Sequence, residues 1–118
     1  MDILRDIVSP TQPGHDIRSS LGLPVSAIVR GGDFLFVSGL TAVDAATGAR
    51  MPGTTASETR VILTNLKAML EAAGSSLNKV VKVNVLLHSM LEVPNMNGVY
   101  ASFFPTEPPA RTVCGAKL

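Results

Sequence analysis

Arg111 is the residue of this sequence whose surroundings point most directly to chemistry. It follows the segment Pro108-Pro109-Ala110 and begins an apolar run that ends at Cys114. A guanidinium at the mouth of an apolar strand can meet a carboxylate through two parallel hydrogen bonds. The residues alone leave two alternatives equally open. The carboxylate belongs either to a bound ligand or to one of the nine acidic residues of the chain, in a structural ion pair.

The other reactive side chains give weaker indications. His15 and His88 have no companion at metal-ligand spacing, and the sequence contains no CxxC, HExxH, GxSxG or phosphate-binding GxxxxGK motif. We therefore expect no metal site and no cofactor. Cys114 is interpreted as a small buried hydrophobic residue, with a reactive thiol as the alternative.

Composition excludes several classes of protein. The 118 residues are 46% hydrophobic and 16% charged, which predicts one globular domain over residues 1–118. A single cysteine cannot form an intrachain disulfide, and no apolar stretch approaches the ~20 residues that span a bilayer. The start, MDILRDIV, lacks the basic-then-apolar run of a signal peptide, so we expect a cytoplasmic protein without a membrane partner. The net charge of +1 gives no field that attracts nucleic acid, so a nucleic-acid partner is disfavoured.

Glycine and proline positions divide the first half of the chain into short elements. Residues 3–8 are predicted as an edge strand, and residues 9–24, rich in Pro and Gly, as an irregular connector. The run AIVR-GGD-FLFV predicts a β-hairpin around residues 31–33, since glycines adopt the positive φ angles of tight hairpin turns. A second turn is predicted at residues 44–48.

The longer of two predicted helices covers residues 57–73. Thr55 and Glu58 are spaced as a capping box, and Gly74 suits the left-handed position after the last turn. Apolar residues recur at helical spacing and predict one buried stripe, formed by Ile62, Leu66, Met69, Leu70 and Ala73.

The second half of the chain predicts strand, helix and strand. A shorter helix over residues 94–104 buries Val99 and Phe103, and prolines end it. Residues 110–118 form the last strand. Residues 79–87 alternate as a half-buried strand whose inner face carries Val81, Val83, Val85 and Leu87, with Lys82 and Asn84 on the other.

This order of elements predicts an α+β protein. Two strand–helix–strand passages favour a mixed β-sheet with both helices packed on one face. The opposite face of the sheet is then bare, and a bare apolar sheet face on a small domain indicates a partner subunit.

The sequence resembles the Rid family, also called YjgF or L-PSP, over about residues 24–114. The segments that carry the resemblance, in the family's order, are SAIVRGGDFLFVSG, DAATG, SETRVILTNLKAMLEAAGSSLNKVVKVNVLL and NGVYASFFPTEPPART. The resemblance implies a chorismate-mutase-like α+β fold and a homotrimer with ligand clefts between subunits. It also implies an enamine/imine deaminase, which hydrolyses products of pyridoxal-phosphate enzymes to 2-oxo acids and ammonia.

The resemblance also assigns residues to the cleft. Arg111 matches the family's catalytic arginine, which grips the carboxylate of an imino or 2-oxo acid. Ser38 and Gly39 match the strand end that lines the same cleft, and Asn97 matches an asparagine that approaches it. By fixing the carboxylate, Arg111 would orient the neighbouring electrophilic carbon for attack by water.

Three departures from the family pattern keep other functions open. Val25 stands where deaminases carry a tyrosine. Cys114 lies one residue beyond a cysteine position that Val113 occupies, so it should point to the opposite face. The family's final strand, with a glutamate that positions water, has no counterpart before Leu118, so either the subgroup is divergent or the natural chain extends further. A non-catalytic trimeric binder of small carboxylates is therefore the alternative function, and an endoribonuclease is a third.

Overall fold

The computed structural model describes residues 5–8 and 23–118. Single 3₁₀ turns at Leu77–Lys79 and Met90–Glu92 connect the later elements. The predicted residues Ile3 and His15, and the connector as far as residue 22, lie outside the described residues. The strands and helices follow the predicted order: β1 (Arg5–Val8), β2 (Ile28–Gly31), β3 (Phe34–Val37), α1 (Thr55–Ala72), β4 (Lys82–Leu87), α2 (Val93–Phe103) and β5 (Ala110–Gly115).

Both antiparallel and parallel pairings occur among these strands. In the hairpin, Gly31 lies opposite Phe34, so Gly32 and Asp33 form the turn, and Gly32 has the required positive φ of 59°. β1 adds antiparallel to β2, whereas β4 and β5 pair in parallel as a separate two-stranded sheet. The predicted α+β class and hairpin are confirmed.

The long helix α1 begins earlier than predicted. The residue before it, Thr54, is extended, and its hydroxyl accepts a hydrogen bond from the Ser57 N–H at 3.1 Å. The predicted capping box of Thr55 and Glu58 is therefore wrong, because Thr55 already lies inside the helix. The predicted end is confirmed: Gly74 has φ 85°, and two hydrogen bonds from residues 74 and 75 to the last turn close a Schellman motif.

Helix α1 spans two clusters of buried side chains. Met69 packs with Ala27 and Ile28 against the inner face of the hairpin. Leu63, which the predicted stripe omitted, packs between β4 and α2. Helix α1 thus packs against both sheets, whereas α2 packs only in the second cluster, which is formed by Leu63, Leu87, Met96, Tyr100 and Phe104.

One inner-face prediction fails at the start of β4. Val81 is 65% exposed, because the strand begins only at Lys82. Val80, which follows the 3₁₀ turn, packs against the core in its place. Val83 and Val85 face inward as predicted.

The outer face of the hairpin sheet is apolar and exposed. Ile7, Val29 and Phe36 lie directly opposite one another on neighbouring strands. Phe36 is 63% exposed, and Ile7 and Phe34 are exposed to a similar degree. The predicted bare sheet face is therefore present in the single chain.

Asp44 closes the predicted turn at residues 44–48. Its Oδ1 accepts hydrogen bonds from the N–H groups of Ala46, at 2.9 Å, and Thr47, at 3.0 Å. These bonds favour the ionised carboxylate and hold the pKa of Asp44 below its ordinary value of 3.8. Gly48 completes the turn with a φ of 74°.

We expect Asp44→Ala to speed amide hydrogen exchange at Ala46 and Thr47, because both N–H groups lose their acceptor. Asp44→Asn, which keeps an oxygen in place, is the control and should retain most of the protection. Because folding lowers this pKa, the carboxylate's stabilisation of the turn is present above pH 3.8 and is lost as the pH falls below that value. Equal exchange rates in wild type and Asp44→Ala at neutral pH would contradict this account.

Candidate functional site

The side chain of Arg111 lies on the helix-facing side of β5. Its guanidinium carbon is 4.8 Å from the centroid of the Tyr100 ring, within the range of a cation–π contact. Its Nη1 donates to the sulfur of Met96 at 3.9 Å. A sulfur is a weak acceptor, so the guanidinium keeps most of its hydrogen-bonding capacity.

Arg111 forms no ion pair with a carboxylate within residues 5–8 and 23–118. The structural ion pair that the sequence left open is thus not found in the described part of the chain. Within the described residues this half-buried guanidinium has no anion beside it, so its donors can bind the carboxylate of a ligand.

Two polar atoms on α2 are buried without a hydrogen-bond partner. They are Oδ1 of Asn97 and the hydroxyl oxygen of Tyr100. These residues are three apart in the helix and therefore neighbours on its surface. A buried polar group without a partner is unfavourable, so such atoms call for a ligand or water.

The Tyr100 phenol is neutral in this setting. Burial raises its pKa above the ordinary value of 10.0, while the positive charge of Arg111 acts in the opposite direction. The phenol can therefore donate a hydrogen bond at neutral pH. Asn97 was predicted from the sequence and Tyr100 was not, although its spacing of three residues from Asn97 in one helix was a signal that could have found it.

Ser38 and Gly39 lie at the end of β3, in the other sheet. The Ser38 N–H donates to the carbonyl of Ala27 at 2.9 Å, and its hydroxyl donates to the carbonyl of Ser26 at 2.5 Å. A Cβ added to Gly39 would meet nothing within 4 Å, so the space beside it is open. In the described residues no hydrogen bond joins Ser38 to Arg111, and the strands next to them belong to different sheets.

Cys114 is exposed, and its interpretation as a buried hydrophobic residue is wrong. Alternation along β5 places Arg111 and Val113 towards the helices and Cys114 on the opposite face. Its neighbour in the parallel pair, Leu86, is exposed as well. The prediction that Cys114 points away from the Val113 side is confirmed.

The remaining candidate groups lie apart from this site. No group of three or more His, Cys, Asp or Glu residues that could hold a metal is found in the described ranges, to which His15 does not belong. His88 and Val25 are both exposed. Neither described helix is long and apolar enough to cross a membrane.

Within the described residues, the fold and site define a small α+β protein in which an arginine without an ion-pair partner lies against a buried tyrosine, and the helix of that tyrosine also carries a buried asparagine oxygen without a hydrogen-bond partner. The chain belongs to the family described as Endoribonuclease L-PSP, whose model matches residues 22–118. The resemblance to the Rid, or L-PSP, family is thus confirmed.

Relatives and a solved structure support this membership. A RutC family protein of Pyrococcus horikoshii is 46% identical over 88 residues, which cover 75% of this chain and 70% of the relative. The mouse 2-iminobutanoate/2-iminopropanoate deaminase is 33% identical over 109 residues, or 92% of this chain and 77% of that protein. The crystal structure of a Thermotoga maritima protein has a TM-score of 0.76 and 41% identity, covering 80% of this chain and 74% of that one.

Proposed function

We propose that this protein is an enamine/imine deaminase that hydrolyses 2-imino acids to 2-oxo acids and ammonia. The observation that carries the proposal is the guanidinium of Arg111, half-buried and without a carboxylate partner in the described residues. The similarity to the mouse 2-iminobutanoate/2-iminopropanoate deaminase supports the reaction. No cofactor takes part in the proposed chemistry.

The chemistry follows from the carboxylate contact. Two N–H groups of Arg111 bind the two carboxylate oxygens, which fixes the adjacent C=N carbon. Water adds to that carbon, and a proton passes from the added hydroxyl to the nitrogen; the carbon–nitrogen bond then breaks, so that ammonia leaves as the C=O bond of the 2-oxo acid forms. Holding the reactants in place removes much of the entropic cost of this addition. Ser38, Gly39 and Asn97 are the other residues we assign to the substrate cleft.

The proposed site is formed between subunits of a homotrimer. Ser38 and Arg111 lie on different sheets, and no hydrogen bond joins them in the described chain. The exposed outer face of the hairpin sheet, centred on Phe36, offers a surface for a second copy. We place the trimer in the cytoplasm, because an exposed free Cys114 is suited to a reducing compartment.

A coupled assay tests the deaminase. A pyridoxal-phosphate enzyme generates 2-aminoacrylate from serine, and the rates of ammonia and pyruvate release are followed with and without this protein. We expect the protein to accelerate both. Release no faster than in buffer would contradict the proposal. RNA cleavage is measured on the same preparation, and cleavage that survives Arg111→Ala would belong to another site.

Val25 favours a second candidate, a non-catalytic binder of small carboxylates. The family's deaminases carry a tyrosine at this position, whereas valine supplies no phenol. This candidate predicts saturable binding of a 2-oxo acid that Arg111→Ala abolishes, without any turnover. Turnover by the wild type decides between the two.

A further inference from the structure

The ring of Tyr100 lies between the core and the guanidinium of Arg111. Tyr100 is 7% exposed and belongs to the buried cluster of Leu63, Met96 and Phe104. Its ring centroid is 4.7 Å from that of Phe104, with the two planes tilted by 38°. The Arg111 guanidinium carbon is 4.8 Å from the same ring. The tyrosine is thus fixed by the core and contacts the cation directly.

We propose that Tyr100 is the positioning residue for Arg111: its ring holds the guanidinium by a cation–π contact and so sets the affinity of the site for a carboxylate. This inference rests on the proposed function. It names a residue that acts through Arg111 and does not itself touch the reacting atoms.

An aromatic ring can hold a cation without occupying its hydrogen-bond donors, whereas an ion pair occupies them. A carboxylate partner within the chain would occupy the N–H donors of Arg111 and cancel its charge. The electron-rich ring attracts the cation while leaving those donors free for a ligand. The weak sulfur contact from Met96 has the same property, since it engages a single nitrogen.

Helical spacing explains why one element supplies both contacts. Met96 and Tyr100 are four residues apart on α2, so their side chains lie one above the other on the same face. Arg111 reaches them from β5, where its neighbour Val113 also faces the core. The site therefore depends on how α2 packs against β5.

The first test replaces the ring and measures pyruvate binding by titration calorimetry, together with KM and kcat in the coupled assay. Tyr100→Leu should raise the Kd for pyruvate and the KM between about 2-fold and 30-fold, with a smaller change in kcat. Tyr100→Phe keeps the ring and removes only the unpaired hydroxyl, so its Kd should lie nearer to that of wild type than to that of Tyr100→Leu. Phe103→Leu is the control, because Phe103 packs against the same cluster, whereas the cation–π contact of Arg111 is with the ring of Tyr100.

A second series avoids the cavity that leucine leaves. Phenylalanine with an increasing number of ring fluorines replaces Tyr100 and keeps its shape while withdrawing electrons from the ring face. We expect the Kd for pyruvate to rise with each added fluorine, because the attraction depends on the ring's charge distribution. The same fluorinated residues at position 103 should leave the Kd unchanged.

The outcomes separate this inference from the proposed function. If fluorination weakens pyruvate binding but the wild type shows no turnover, Tyr100 keeps its role and the deaminase is contradicted. The role of Tyr100 is overturned if fluorination has no effect, if Tyr100→Phe binds as weakly as Tyr100→Leu, or if Phe103→Leu weakens binding equally. A wild type that fails to bind pyruvate overturns the role of Tyr100 in carboxylate affinity, whereas the deaminase is contradicted only by the absence of turnover in the coupled assay.

Discussion

Arg111→Met is expected to lower kcat/KM for 2-aminoacrylate hydrolysis by at least about tenfold, and by roughly a hundredfold or more if both oxygens of the substrate carboxylate are bound. The reason is that, among the described residues, Arg111 is the cation that lies beside Tyr100 and Met96, so no other cation there replaces it as the partner of the substrate carboxylate. Methionine retains an unbranched side chain of similar length, so the packing against α2 is disturbed little. The coupled release of pyruvate and ammonia measures the effect.

Two further variants test whether the effect of Arg111→Met comes from the geometry of the guanidinium or from the loss of a positive charge. They are Arg111→Lys and Arg60→Met. Lysine keeps the charge but has neither the planar fork nor the same stacking on an aromatic ring, so we expect a loss smaller than that of methionine. Arg60 is exposed on α1, and its replacement removes a charge without touching the site. Equal activity of Arg111→Met and Arg60→Met, with both proteins folded by circular dichroism, would contradict the role of Arg111.

Locally determined elements were predicted well from the sequence. The hairpin turn at Gly32 and the helix end at Gly74 need positive φ angles that glycine adopts without strain, so a few residues determine each. Family resemblance pointed to Asn97 and Arg111; in the structure Arg111 of β5 packs against α2, the helix that also carries Asn97. The N-cap was missed by one residue because Thr54 and Thr55 are chemically equivalent caps, and only the backbone angles of Thr54 distinguish them.

Longer-range packing could not be predicted in the same way. Leu63 fits the helical spacing of Leu66 and Leu70, but its burial depends on α1 covering two sheets, which widens the buried side of the helix. Cys114 was interpreted as buried because a free cysteine with no neighbouring His or Lys in the sequence is typically a small buried hydrophobic residue, whereas the structure leaves it exposed. In the structure Arg111 packs against the ring of Tyr100 on the preceding helix and therefore faces the helices. Because side chains alternate along β5, Cys114 lies on the opposite, exposed face.

If the protein assembles as the proposed homotrimer, Phe36→Asp is expected to leave it monomeric. Phe36 lies in the row formed with Ile7 and Val29 on the outer sheet face and is 63% exposed in the single chain. Burying a phenylalanine side chain contributes about 1.5–3 kcal/mol, and a trimer would bury three copies. An aspartate there would instead place a charge without a partner inside the interface.

Sedimentation velocity measures the change, with Leu91→Asp as the matched control. Leu91 is also an exposed apolar residue, but it lies in the 3₁₀ turn before α2 and away from the hairpin sheet, so its replacement should leave the trimer intact.

Because Ser38 and Arg111 lie on separate sheets, the Phe36→Asp monomer should also lose pyruvate binding while keeping its circular dichroism spectrum. A wild-type monomer, or a Phe36→Asp protein that sediments as the wild type does, would contradict assembly through this face. Loss of the trimer with pyruvate binding intact would instead place the whole site within one chain, and the orphaned oxygen of Asn97 would then mark a cleft that α2 and β5 form by themselves.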